Sequence, residues 1–380
     1  MTGYSMLTAI LWCNAFIVMG ALLRRRNRFI IRFSMLPVIC LVFFSIFRLL
    51  CSVELPHTTV VRSTVILPAV IDFCTAPLVV LGSGRTISLA GLLAVIWAGG
   101  FVYWILAYCV QSIRLYHQIA AVPGTDNPRI RSALHAVMAA SGKKTAVKVI
   151  TSAEIATPLV TGFFRPVIFL PDTAFSDHEL THILLHEWTH FLHKDTWVKL
   201  AMYLILSVFW WNPLIHLLYR DLDHILEIQC DLTLTANFDA AKRIQYLTSI
   251  TRVIECALTR KIPLNSSPHA AQLISTRCAA QIKQRFHLVL DAEPKKQRRA
   301  QSLLICGMIL LALGFSYAFV VQPTGFPTIE PGYDDNFFVT PENAYLLTNE
   351  DGSYALYVDG KYKLQVQQIQ AEPYVSLPIK

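Results

Sequence analysis

Residues 5–23 are apolar enough to cross a bilayer, and Arg24, Arg25, Arg26, Arg28 and Arg32 follow them at once. A run of that length crosses a hydrocarbon core of about 30 Å as a helix, and no water there can satisfy a backbone left unpaired. The chain is therefore bound to build helices wherever it meets lipid. An arginine block beside such a run marks the cytoplasmic end, which predicts an outward-facing N-terminus. A cleaved signal peptide carries its positive charges before the apolar stretch, whereas here they come after it, so an anchor is expected. Residues 33–51 then return outward, residues 52–84 form an outer loop with only Glu54, Arg62 and Asp72 as charges, and residues 87–110 cross back to the cytoplasm before Arg114.

Composition agrees with insertion, at 54% hydrophobic and 15% charged residues with a mean hydropathy of +0.46. The net charge of +8 sits mostly in short blocks beside apolar runs. That placement reads as an orientation signal and argues against direct nucleic-acid binding. The nine cysteines contain no Cys-x-x-Cys pair, so neither a zinc ribbon nor a disulfide framework is indicated. Cys51 and Cys74 are placed either to meet outside the membrane or to stay as two buried thiols.

Between the apolar segments the pattern changes. Residues 127–141 have helical periodicity with Gly142 as a stop, and residues 146–151 read as a strand. Residues 159–162 and 166–171 read as a turn and a second strand. That segment is placed either to pair with a peptide backbone at a sheet edge or merely to pack under the helix that follows.

That helix carries His186-Glu187-Trp188-Thr189-His190. Histidines four apart share one helical face, and the glutamate after the first is suited to act as general base, the pattern of a zinc peptidase. A second copy lies upstream as His178-Glu179-Leu180-Thr181-His182. There Ser176 and Glu179 make a capping box, and Phe175 with Leu180 a hydrophobic staple, so Glu179 has a structural task. The downstream copy is the expected site because Ile183, Leu184, Leu185, Phe191 and Leu192 wall it off from water. His178, His182 and His193 are read as solvated or supporting residues.

The apolar run 200–219 poses a topological question. If it crossed fully, Lys295, Lys296, Arg298 and Arg299 would lie outside, against the positive-inside rule. Asn212-Pro213 breaks it after Trp210-Trp211. A membrane-embedded helical hairpin entering and leaving on the cytoplasmic side is therefore expected. Beyond it, Glu227 and Asp231 share a helical face among Ile225, Leu226, Ile228 and Leu232. Acids in such a setting are costly without a cation or donor. Zinc is the expected partner, with Glu227 as third ligand and Asp231 hydrogen-bonded to a ligand histidine.

These pieces resemble the BlaR/MecR family of membrane-embedded zinc metallopeptidases. The likeness rests on Pro158-Leu159-Val160-Thr161-Gly162 leading to Pro166-Val167-Ile168-Phe169-Leu170-Pro171, on the His186–His190 motif with Asp195, on Trp211-Asn212-Pro213-Leu214-Ile215, and on Glu227-Ile228-Gln229-Cys230-Asp231. The resemblance implies a gluzincin-type antirepressor signal transducer whose zinc is held by His186, His190 and Glu227, with Glu187 activating water and Asp195 and Asp231 supporting the ligands. It also implies a cytoplasmic catalytic domain and, as peptide substrate, a cytoplasmic repressor or the chain itself. Members can cut themselves, which makes residues 261–268 and the stretch up to Arg299 candidate cleavage sites. The best-known members end in a large penicillin-binding sensor with an acylatable Ser-x-x-Lys; the residues after 322 hold no such motif, so covalent β-lactam sensing is not expected.

The expected fold is thus a mainly α, polytopic integral membrane protein. Residues 1–112 form a membrane domain with three transmembrane helices and the outer loop at 52–84. Residues 113–300 form a cytoplasmic gluzincin-like α+β metallopeptidase domain, with the embedded hairpin near 199–219. Residues 301–321 form the last crossing, and residues 322–380 a small extracytoplasmic β-meander tail with strands at 345–348, 354–358 and 362–366. Tyr203, Tyr219, Arg220 and His224 are candidates to stabilise an oxyanion. The lipid bilayer is an expected partner, and a homodimer is compatible with the sequence. Two other readings share these residues: a signalling receptor with a purely structural zinc, and a membrane quality-control metalloprotease.

Overall fold

The computed structural model describes residues 3–53, 58–80, 86–143, 145–259, 276–291 and 295–323, and in the tail residues 344–348, 354–358, 360–366, 374 and 377–379. The chain is mainly helical and divides into two compact units.

One unit comprises Met1–Thr8, Ser52–Cys74 and Tyr317–Lys380. In it β1 (Thr59–Ser63) pairs in parallel with the strand Phe319–Pro323, Thr59 opposite Phe319 and Ser63 opposite Pro323. A short helix, Ile66–Thr75, follows β1. Three further strands, Ala344–Thr348, Tyr354–Val358 and Lys361–Val366, form an antiparallel meander around Leu346, Leu356 and Val358.

The other unit comprises Ala9–Cys51 and Thr75–Ser316. Helix α1 (Gly3–Arg24) turns at Arg25–Arg26 into α2 (Asn27–Phe33), which bends by 99° into α3 (Leu36–Leu50). Pro37 at the start of α3 fits a first turn, where a missing N–H costs nothing. Numbering the helix Ile66–Thr75 as α4, the long helix Leu89–Ala121 is α5. Two helices, Ser5–Arg24 and Leu89–His117, are long and apolar enough to cross a membrane, and the bent α2–α3 pair makes a third if counted as one span. Their outer faces leave Leu11, Phe43, Val95 and Leu106 more than half exposed. Apolar faces on this scale are stable against lipid rather than water. The last apolar helix, which contains Ala300–Phe315, is shorter than the expected crossing at 301–321, because residues 319–323 leave the helix to pair with β1.

The α+β part of this unit starts with α6 (Pro128–Ser141), capped by the Asn127 side chain and closed by Gly142 in the left-handed region at φ 68°. Numbering the hairpin Pro77–Val80 and Thr86–Ser88 as β2 and β3, the strands β4 (Lys148–Ser152), β5 (Leu159–Thr161) and β6 (Val167–Pro171) form a sheet in the order β4-β6-β5. β4 runs parallel to β6 and β5 antiparallel to it, so β5 is an edge. Gly162 makes the β5–β6 turn possible: it sits at φ 102°, and a Cβ there would overlap the Arg165 carbonyl.

Helices α7 (Asp177–Leu192), α8 (Asp195–Val208) and α9 (Pro213–Leu234) follow. The break between α8 and α9 falls at Asn212-Pro213, where the Asn212 side chain accepts from Leu214 N–H. Trp210 packs against α5 at Gly100, where a Cβ would collide with its indole, and Trp97 and Trp210 each donate to a backbone carbonyl of the other segment. Trp211 is half exposed. The remaining helices are α10 (Ala240–Thr259), α11 (Thr276–Leu290) and α12 (Lys295–Phe315). The candidate cleavage stretch at 261–268 lies outside the described residues.

Candidate metal centre

Helix α7 begins with a complete capping box. Ser176 Oγ accepts from Glu179 N–H at 3.3 Å, and Glu179 Oε2 accepts from Ser176 N–H at 2.7 Å. Phe175 and Leu180 are both buried in the core formed with α6 and the sheet. Two turns on, Ile183, Leu184 and Trp188 bury the opposite face, and Trp188 Nε1 donates to Ser141 at 2.9 Å. His186, Glu187 and His190 are each less than a tenth exposed.

The helix stops at Leu192, and Lys194 adopts φ 60°, a left-handed kink. The kink swings Asp195 back onto the face it has just left. Its Oδ2 lies 2.6 Å from His190 Nδ1. Because a carboxylate only accepts, His190 carries a proton on Nδ1, which leaves Nε2 to take a second proton or a metal ion.

His186 reaches the same state by a longer route. Its Nδ1 is 2.9 Å from the Tyr246 hydroxyl on α10, and that hydroxyl donates to Asp231 Oδ1 at 2.6 Å. With its own O–H donated to Asp231, the tyrosine can only accept from Nδ1–H, so Nε2 of His186 is likewise left to take a proton or a metal ion. Asp231 itself is 3.6 Å from Nδ1. The direct bond expected from sequence is therefore replaced by one through Tyr246.

Both Nε2 atoms point into one space. They are 3.1 Å apart, and Glu227 lies across from them, with Oε2 3.3 Å from His186 Nε2 and Oε1 3.4 Å from His190 Nε2. Two imidazole nitrogens and a carboxylate this close require positive charge between them, from protons or from a metal ion. A tetrahedral zinc with bonds of about 2.0–2.1 Å needs ligand-to-ligand edges of about 3.3–3.4 Å. The two carboxylate edges, which end on different oxygens, match that length, and the histidine edge is slightly shorter.

The charges point the same way. Burial opposes a charged His190, yet the Glu227 carboxylate and the bond to Asp195 prevail and push its pKa up to about 10. His186 is likewise raised, against desolvation, by Cys230 and Glu227. Glu227 would be raised by burial, but Arg285 and the two histidines hold it well below the usual carboxylate range. The pocket thus favours positive charge at the place where the imidazoles meet.

Glu187, on the same turn of α7, differs from every other acid here. Its carboxyl makes no hydrogen bond among the described residues, and burial raises its pKa.

Three participants were not anticipated from sequence. Arg285 on α11 donates Nε and Nη2 to the two oxygens of Asp231 at 2.6 and 2.9 Å, and its Nη1 lies 2.8 Å from Glu227 Oε2. Tyr246 is the second. Cys230 is the third, and with His186 and His190 it forms an alternative cluster of ligand-type atoms within 4.8 Å of one another. Its Sγ, however, lies 3.5 Å from His186 Nδ1, the nitrogen already engaged by Tyr246. The Glu227 carboxylate, by contrast, faces both Nε2 atoms. Of the oxyanion candidates, Tyr203 donates to the Trp104 carbonyl and His224 faces Gln284, so both are committed elsewhere. Tyr219 packs on Tyr203, and Arg220 is exposed.

A family model described as BlaR1 peptidase M56 matches residues 35–289, more than half of the chain and all of the residues just described. The chain belongs to the BlaR1 peptidase M56 family. Regulatory protein BlaR1 of Bacillus licheniformis is 26% identical over 153 residues, covering 40% of this chain and 26% of that protein. The methicillin resistance mecR1 protein of Staphylococcus aureus strain Mu50 is 24% identical over 225 residues, 54% of this chain and 38% of that one. Regulatory protein BlaR1 of S. aureus is 24% identical over 226 residues, 57% and 37% of the two chains. This M56 chain thus spans from about a quarter to two fifths of the length of these relatives.

Proposed function

We propose that the chain is a membrane-embedded zinc endopeptidase that transduces an extracytoplasmic signal by cytoplasmic proteolysis, acting on itself or on a repressor protein. The observation that carries this reading is the grouping of His186, His190 and Glu227, with edges of 3.1, 3.3 and 3.4 Å, beside a buried Glu187 whose carboxyl makes no hydrogen bond among the described residues.

Zinc, held by these three residues, would polarise a scissile carbonyl and lower the pKa of a bound water to roughly 7. Glu187 takes the proton of the attacking water and passes it to the leaving amine. Its burial suits the task, since a raised carboxyl pKa brings the acid and base forms closer in energy near neutrality. Asp195 and the Tyr246–Asp231 pair hold both imidazoles by Nδ1 and so aim both Nε2 atoms at the place where the metal would sit. The free edge of β5, next to α7, is placed to align an extended peptide by backbone hydrogen bonds.

The layout that goes with this reading has a membrane part at 1–112, a cytoplasmic catalytic domain at 113–300, a last membrane helix that ends at Phe315 and an outer tail that begins with the strand Phe319–Pro323. The arginine block after α1 supports the orientation. The parallel pairing of Thr59–Ser63 with Phe319–Pro323 supports placing the outer loop and the start of the tail on one side.

The test is reconstitution of the full chain with zinc in vesicles. Self-processing, and cleavage of a repressor encoded beside this gene, are expected from wild type and not from Glu187→Gln. Equal processing by both proteins would remove Glu187 from the reaction, and none by zinc-loaded wild type would leave a signalling receptor with a structural metal.

A further inference from the structure

Two consecutive residues of α11 face two different parts of the protein. Arg285 reaches the candidate metal centre, with its side chain only 15% exposed. Its fork on Asp231 uses Nε and Nη2, which fixes the guanidinium plane and leaves Nη1 to hold Glu227. The oxygen it holds, Oε2, is the one that faces His186 Nε2. Where Arg285 sits therefore sets where one edge of the ligand triangle sits.

Gln284 faces the other way. Its Nε2 donates to the Arg24 carbonyl and to Asn27 Oδ1, both at 2.8 Å, and its Oε1 faces His224 Nε2 of α9 at 2.9 Å. Both amide protons are thus committed to the turn that joins α1 to α2. The same turn also grips α9, because the Arg24 guanidinium pairs with Asp221 at 2.7 Å with both side chains almost fully buried. Asp221, His224 and Glu227 lie on successive turns of α9. The end of α1 is therefore bonded to the helix that carries the third ligand and to the helix that clamps it.

We propose that Arg285 is a positioning residue for Glu227, and that Gln284 ties this clamp to the α1–α2 turn, so that displacement of the turn changes how well the site holds its metal. The proposal rests on the zinc-peptidase reading and assigns the regulation of that site. A lysine at 285 keeps the charge but cannot form the planar two-point fork on Asp231, so charge alone does not replace it.

The test measures Zn2+ affinity by chelator competition on the purified full chain, with thermal unfolding as a check on folding. Arg285→Ala leaves Asp231 buried without its cation and is prone to unfold, so the decisive variants are Arg285→Lys, Gln284→Ala and Asn27→Ala. Supporting residues of metal ligands are worth about 10–100-fold in affinity. Arg285→Lys is expected to fall in that range. Gln284→Ala and Asn27→Ala, which remove no atom of the metal centre, are each expected to weaken binding by at least about 3-fold. The double variant is expected to show no further loss over Gln284→Ala, because the bond that Asn27→Ala removes is already lost in Gln284→Ala. Lys283→Ala, on the exposed side of α11, leaves affinity unchanged.

Wild-type affinity in Asn27→Ala and Gln284→Ala overturns the coupling, and an equal fall in Lys283→Ala overturns it as general loosening of the helix. Wild type that binds no zinc overturns the underlying peptidase reading, and the proposal with it.

Discussion

Helix α7 carries the same five-residue pattern twice, eight residues apart, and the two copies have opposite surroundings. In the upstream copy His178 is exposed, Glu179 is spent on the capping box, and His182 pairs with Ser249 at 2.8 Å. In the downstream copy His186 and His190 are buried, each is bonded through Nδ1 to an acceptor, and Glu187 has no structural hydrogen bond. The pattern alone places two imidazoles on one face and nothing more. What distinguishes the copies is the set of partners supplied by α8, α9, α10 and α11. A glutamate that caps a helix is occupied; one that is buried and unclaimed is available for proton transfer.

The widest separation between the copies is expected in catalysis. Glu187→Gln should lower peptide cleavage by about 10²–10⁴-fold, the usual worth of a positioned acid–base group, while zinc content stays at one ion per chain. Glu179→Gln should leave cleavage unchanged. Rates and metal content measured on the same preparations decide the matter, and a loss of activity in Glu179→Gln as large as in Glu187→Gln would make the two copies equivalent.

The next effect concerns which residue completes the triangle. Glu227→Ala should weaken Zn2+ binding by more than the 10–100-fold of a supporting partner, whereas Cys230→Ser should stay near wild type because its thiol lies on the Nδ1 side of His186. Chelator competition on the two variants separates them, and the reverse order would assign the third ligand to the thiol. Below this comes Asp195→Asn. The amide can present N–H to His190 Nδ1 and so favour the wrong tautomer, which should cost about 10–100-fold in Zn2+ affinity.

How much of this was legible in the sequence follows the distance over which each interaction acts. The cap at Ser176, the shared face of His186 and His190, and the break at Asn212-Pro213 depend on neighbours within one helical turn, and all three stand in the structure as read. For Glu227 and Asp231 the rule that a mid-helix acid among apolar residues requires a positive partner was enough to expect one, and among the described residues Arg285 supplies it. Tyr246 and Arg285 carried no such mark. Tyr246 lies in the apolar stripe of α10 with Leu247, Ile250 and Val253, where an aromatic residue reads as ordinary core. Arg285 did leave a trace, since it falls between Ile282 and Leu288–Val289 on the inward face of α11. A cation in an apolar stripe implies a buried acid, but nothing local says that the acid is Asp231, fifty-four residues earlier. The shortened last helix has a similar origin. Phe319, Val320 and Val321 are as apolar as a membrane span, and only their pairing with Thr59–Val61 turns them into strand.

The smallest expected effect returns to the upstream copy. Ser176→Ala removes the side-chain acceptor for Glu179 N–H, at a cost of about 1 kcal/mol in stability. Ser176 is exposed, so water replaces part of the lost bond, and Glu179 retains its bond to the backbone of residue 176. Fraying is confined to the first turn, because Leu180, Ile183 and Leu184 are anchored in the core before His186 is reached. Thermal unfolding should therefore shift slightly while Zn2+ affinity stays within about twofold, well short of a supporting-partner effect. If Ser176→Ala lowered affinity as far as Asp195→Asn, the cap would be setting the position of the ligands, and the division of α7 into a structural turn and a chemical turn would fail.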